Sequence, residues 1–171
     1  MGPVAAEIEI DVPREEAFEL LIDLSARPSF TDHFLSDFHL TRIDSRGIGA
    51  GARFRVNAPL RSPWEDTTIV EVEAPHKIVE EGFGGRQNRI PNRTVWELTS
   101  GSGGLTTVRV AHWTESRFID RGLEVLSGGS FWQERGWKRA LHRLRDNLEG
   151  ENAAVERISV AGGNRYATGI P

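Results

Sequence analysis

From Asp37 to Thr114 the chain alternates apolar and polar residues with a period of two, and short clusters of glycine and proline interrupt the alternation. Such a period describes extended strands with one face on a core. It predicts strands near 37–45, 51–58, 64–74, 77–84, 90–99 and 104–114. The interruptions are turn signals: Gly47, Gly49 and Gly51; Pro59 to Pro63; Ala74-Pro75-His76; Gly84-Gly85; Gly101 to Gly104. Strands separated by a few turn residues form an antiparallel meander. The pattern then changes. Within residues 118–149, Trp137, Leu141, Leu144 and Leu148 fall at i, i+4, i+7 and i+11 and make one apolar stripe along a helix. Gly128-Gly129 predicts a loop or kink ahead of it, with a clean helix from about Ser130 and a stop at Gly150.

The beginning supplies one more strand. Ile8, Ile10 and Val12 alternate with Glu7, Glu9 and Asp11, which is a half-buried strand over 5–12. Pro13 ends it and suits the first turn of a helix, with Glu15 and Glu16 at the favourable end of the helix dipole. That helix runs to about Leu24, Pro28 breaks it, and a second short helix is expected over 29–36 with Ser29 as its cap. Residues 1–149 therefore read as one domain, and the Gly-rich 150–171 as a tail, with 155–160 able to add a short edge strand. The expected class is α+β: a curved antiparallel sheet of about seven strands wrapped around a long C-terminal helix, with two short helices after the first strand.

Composition narrows the functions. There is no cysteine, so disulfides, thiolate nucleophiles and cysteine metal sites are excluded. The net charge is −4 with both signs interspersed, which argues against a nucleic-acid-binding stripe. No apolar run spans a bilayer, and the start lacks the basic and apolar regions of a signal peptide. A cytoplasmic protein is the default expectation. His33, His39, His76 and His142 have no metal-ligand spacing and read as surface residues, so no metal and no cofactor is expected. Gly82-Phe83-Gly84-Gly85-Arg86 lacks the ending of a phosphate loop and reads as a hairpin tip.

Parity assigns side chains to faces. Anchored on apolar positions, the inward set is Ile8, Ile10, Phe54, Val56, Val70, Val72, Ile78, Trp96, Leu98, Val108 and Val110. The same parity carries Trp64, Asp66, Thr68, Glu80, Thr94, His112 and Thr114 inward. Buried polar groups need partners or a polar ligand. His112 is a candidate acid or base, and Asp66 and Glu80 are candidates to pair with it or with an arginine. Trp64, Phe54, Thr94, Trp96, Val110 and Trp137 are the candidate ligand-binding wall, since aromatic walls with few polar groups characterise small-molecule pockets.

The order of elements, with Ile8 to Phe18, Gly47 to Phe54, Val70 to Val79, Trp96-Glu97-Leu98 followed by Gly103 to Val108, and Leu141 to Glu149, resembles the START-like polyketide cyclase/dehydrase superfamily. This is the helix-grip fold shared with the birch pollen allergen. The resemblance implies an internal cavity but no single function, because the superfamily includes cyclases, lipid carriers, hormone receptors and chaperone activators. Three functions follow as expectations. The first is binding or carrying a small hydrophobic or aromatic molecule without chemistry. The second is a cyclase or aromatase that uses His112 with Asp66 or Glu80. The third is an interaction module with a vestigial cavity. A homodimer is left open.

Overall fold

The computed structural model describes residues 4–58, 62–115, 129–150 and 157–158. Strand β1 (Val4–Ile10) leads into helix α1 (Arg14–Leu21), a 3-10 turn (Leu24–Ala26) and the one-turn helix α2 (Pro28–Thr31). Six strands follow: β2 (Leu35–Leu40), β3 (Gly51–Val56), β4 (Trp64–Glu73), β5 (Lys77–Gly84), β6 (Ile90–Ser100) and β7 (Thr106–Thr114). Helix α3 (Gly129–Glu149) closes the fold. The seven strands form one sheet in the order β1-β7-β6-β5-β4-β3-β2. Every neighbouring pair is antiparallel. The sheet curls into a half-barrel around α3, which is the expected helix-grip architecture.

Helix α3 packs against β1 and α2. Its predicted stripe is the buried face: Trp137, Leu141 and Leu144 are buried, Leu148 is partly buried, and Ala140 lies beside them with no exposure. The clean helix begins at Gly129, one residue before the predicted start, while Gly128 lies outside the described residues. Polar ties fasten α3 to α2. His33 Nε2 donates to the Gly136 carbonyl at 3.1 Å, Arg143 pairs with Asp32, and Asn147 Nδ2 donates to Ser29 Oγ at 3.0 Å. His33 is thus half-buried and engaged, not the surface residue its position suggested. The approach is close at Gly136, where a Cβ would come within 2.8 Å of the Phe34 ring.

Two bulges correct the sequence reading. The second short helix ends at Thr31, and β2 already starts at Leu35. Its register shifts between Ser36 and His39, where Asp37 adopts a φ of 52°. An extra residue with positive φ turns Phe38 to the core beside Leu35 and Leu40. In β4 the register shifts between Ile69 and Glu71: Ile69 faces Glu80 and Glu71 faces Val79, so Val70 is the extra residue. Val70 is 42% exposed, against its expected inward place. On its N-terminal side the bulge reverses the parity of the strand. Glu65, Thr67 and Ile69 are buried, and Trp64, Asp66 and Thr68 belong to the outer face.

Strands β6 and β7 keep the predicted register without a shift: Trp96 faces Val110, and Thr94 faces His112. Asn92, Thr94, Trp96 and Leu98 on one strand and Val108, Val110 and His112 on the other are all buried. Among the described residues no helix is long and apolar enough to cross a membrane.

Candidate functional site

Between the concave face of the sheet and α3 lies a cleft. With its mouth included it encloses about 480 Å3, but only about 20 Å3 is open to the centre of a water molecule. That is room for a water or two. A larger guest requires the walls to part. Phe34, Leu35, Phe38, Phe54, Val56 and Trp137 make the apolar lining, and Leu24 lies with them. The rings pack in two pairs. Phe38 stacks on Phe54 at 5.4 Å between centroids, and Phe34 meets Trp137 edge-on at 5.1 Å. Offset or edge-on contacts of this kind suit the quadrupoles of aromatic rings.

The polar lining consists of Arg27, Glu65, Thr67, Glu80, Asn92, Thr94, His112 and Gln133. At its centre is a buried ion pair. Arg27 Nη2 donates to Glu80 Oε1 at 2.6 Å, and the two side chains are only 4% and 3% exposed. Glu80 also accepts from Trp96 Nε1 at 2.9 Å and from Thr67 Oγ1 at 3.1 Å. The guanidinium of Arg27 lies 4.8 Å from the Trp96 ring and also donates to the Leu21 carbonyl at 3.3 Å. A buried charge pair is tolerated best when further hydrogen bonds satisfy both ions. Three donors do so for Glu80, whereas Arg27 Nε is buried without a hydrogen-bond partner among the described residues.

His112 sits beside this pair. Its Nδ1 shares a hydrogen bond of 2.9 Å with Thr94 Oγ1, and its ring is 6.0 Å from that of Trp137. Burial pushes its imidazole down to about 4, against the opposing pull of the Glu80 carboxylate. The ring is therefore neutral at pH 7. Unfolded, the same histidine titrates near its ordinary value of about 6.5. Between these values the unfolded chain binds a proton that the native state does not, so stability is complete above the upper value and lost as pH falls toward 4. At about 1.4 kcal/mol per pKa unit, His112 is expected to account for about 3 kcal/mol over that window. Urea unfolding of the native protein and of His112→Gln between pH 7 and pH 4 measures it. The variant's dependence is expected to be shallower, retaining only other contributions such as that of His33, whose pKa burial also lowers. Parallel profiles would remove His112 from the account.

The structure brings together most of the residues expected at the site. Phe54, Glu80, Thr94, His112 and Trp137 line the cleft. Trp96 lies beneath it, bonded to Glu80 and 5.5 Å from Trp137, and Val110 is buried opposite Trp96. Two residues are elsewhere. Trp64 stands on the outer face between Arg53 and Arg55, with their guanidinium carbons 5.1 and 4.7 Å from its ring. Asp66 is on the same outer face, with Arg53 Nε 3.5 Å away and Asn88 bonded to it. The β4 bulge removes both from the cleft and puts Glu65 and Thr67 in their place. Arg27, Phe38, Asn92 and Gln133 went unrecognised in the sequence. Asn92 was within reach, two residues before Thr94 on a regular strand. Arg27 lies between two short helical turns, where no period betrays its direction. Among the described residues no group of three or more histidine or acidic side chains is placed to hold a metal.

No functionally curated protein matches the sequence. Solved structures are similar in fold across nearly the whole described chain. A START superfamily protein from Mycobacterium smegmatis superposes with a TM-score of 0.66 at 13% identity, over 87% of this chain and 98% of its own. TTHA0849 from Thermus thermophilus gives 0.67 at 17% identity, over 88% and 99%. DynU16, from the dynemicin biosynthetic locus, gives 0.59 at 21% identity, over 88% of this chain and 48% of its own. At such identities the likeness speaks for the fold alone. The sequence itself matches the family model described as Activator of Hsp90 ATPase homolog 1-like protein over residues 11–149. The chain belongs to that family, within the START-like superfamily whose helix-grip fold it adopts.

Proposed function

We propose that this protein binds or carries a small, largely apolar, ring-bearing molecule in the cleft between its sheet and α3. The observation that carries this reading is the lining itself: a wall of Phe34, Phe38, Phe54 and Trp137 facing a compact polar floor of Arg27, Glu80, Thr94 and His112. An apolar pocket with a few convergent polar groups is the usual form of a small-molecule site. The rings take up the apolar body by stacking, and a floor group fixes its orientation with a hydrogen bond. Entry requires displacement of α2 and the first turns of α3, which contribute Gln133 and Trp137. Their ties through His33, Arg143 and Asn147 are few and partly exposed.

A second reading is an enzyme of the cyclase type. It is favoured by one observation: a buried neutral imidazole, His112, lies in the cleft with its Nδ1 fixed by Thr94. A neutral imidazole can take a proton. Glu80 is a weaker second group, since three donors already occupy it. Asp66, on the outer face, leaves this set. Binding without chemistry is therefore the better supported reading.

Native mass spectrometry of the protein purified from its own host tests it. The expected result is a one-to-one adduct of a few hundred daltons (roughly the size a cleft of this class encloses), released on collisional activation and recovered in an apolar extract. A bare mass, together with no saturable binding of any aromatic probe in titration, would contradict it.

A further inference from the structure

We propose that the Arg27–Glu80 pair makes the cleft selective for an uncharged ligand, accepting a hydroxyl or carbonyl group at its polar floor and rejecting a carboxylate of the same shape. This rests on the cleft being a ligand site. Among the described residues, Arg27 is the single arginine or lysine of the lining. Its charge is already matched by Glu80 at 2.6 Å. The guanidinium is held from three sides, by Glu80, by the Leu21 carbonyl and by the Trp96 ring, so turning to a ligand carboxylate would break contacts that fix it. Glu80 is held in turn by Trp96 and Thr67.

The rest of the lining, among the described residues, offers no second cation. Thr67, Asn92, Thr94 and Gln133 are uncharged, and Glu65 is acidic. His112 faces Glu80 and Thr94, and burial keeps it neutral with a pKa of about 4. Protonating it at pH 7 to meet an anion would cost about a thousandfold in affinity, three pKa units at tenfold each. An anionic ligand would thus lose its hydration and gain no counter-charge, which is the expensive way to bury a carboxylate. A hydroxyl or a carbonyl meets no such obstacle, because threonine hydroxyls and amides both donate and accept.

Calorimetric titration at neutral pH with 2-naphthol, methyl 2-naphthoate and 2-naphthoate tests this, since the last two differ in charge with nearly the same shape. The native protein is expected to bind the naphthol and the ester at least about tenfold more tightly than the acid. In Glu80→Gln the guanidinium loses its counter-charge, and the affinity for 2-naphthoate relative to the ester is expected to rise at least about tenfold. A native protein that binds the acid as tightly as the ester overturns the inference and leaves the binding function standing. So does a folded Glu80→Gln variant with an unchanged preference. Should the variant fail to fold, the ester and the acid on the native protein decide alone. If none of the three probes binds, the cleft reading falls and this inference with it.

Discussion

Glu80→Ala is expected to destabilise the fold by about 3–5 kcal/mol, the cost of removing one partner from a buried ion pair. The substitution strands a positive charge: Arg27 would remain at the floor of the cleft without the carboxylate that pairs with it. It also takes the acceptor from the Trp96 indole and from Thr67. Buried donors left unpaired each add their own desolvation penalty. Arg27→Met alone is expected to be costly for the mirror reason, because it leaves the carboxylate uncompensated. The double variant, Arg27→Met with Glu80→Met, is expected to be more stable than either single one, since apolar side chains of similar volume replace both ions. Urea unfolding of the four proteins closes this cycle. Single changes below about 1 kcal/mol would mean that water reaches the pair and that the floor is wetter than the structure implies.

Leu144→Ala is expected to cost about 2–5 kcal/mol. Leu144 has no exposure and lies in the centre of the α3 stripe, between Leu141 and the partly buried Leu148. Its loss opens a hole where the helix meets the sheet, and α3 cannot settle inward without moving Trp137 against Trp96 and Phe34. The upper part of the range applies because the surroundings are close-packed rings and branched chains that collapse poorly. Urea unfolding reads this directly. An unchanged midpoint would show that α3 is not seated on the sheet through this face.

The same elements explain how much of the site could be read from the sequence. Trp96 with Leu98, and Val108 with Val110, are apolar at alternate positions on two strands joined by the Gly101 to Gly104 turn. Their ladder runs from Asn92–Thr114 to Ser100–Thr106 without a shift, so parity carries across it and puts Thr94 and His112 inside. In β4 the anchors were Val70 and Val72, and only Val72 packs on the core. Nothing local distinguishes the two valines. The bulge at Val70 is fixed by pairing with β5 and not by residue type. Parity from these valines therefore sends Asp66 and Trp64 inward, whereas the bulge puts Glu65 and Thr67 there. Glu80 is a candidate from the sequence to pair with His112 or with an arginine, and the structure supplies Arg27 from a segment with no periodic signal. The helix stripe was legible because Trp137, Leu141, Leu144 and Leu148 repeat with the helical period and the sheet covers that face and no other.

The central claim is that a ring-bearing molecule enters between the sheet and α3, and the five tryptophans test it directly. Trp96 and Trp137 lie at the cleft, whereas Trp64 stands on the outer face, Trp113 has Arg93 over its ring, and Trp132 is exposed near the start of α3. Each indole N–H gives its own resonance in a proton–nitrogen correlation spectrum of the labelled protein. On titration with 2-naphthol, the Trp137 and Trp96 signals are expected to move together and saturate with one dissociation constant, while those of Trp64 and Trp113 stay in place. Saturable movement of Trp64 or Trp113, with Trp96 and Trp137 unmoved, would put the ligand on the outer surface and contradict the account.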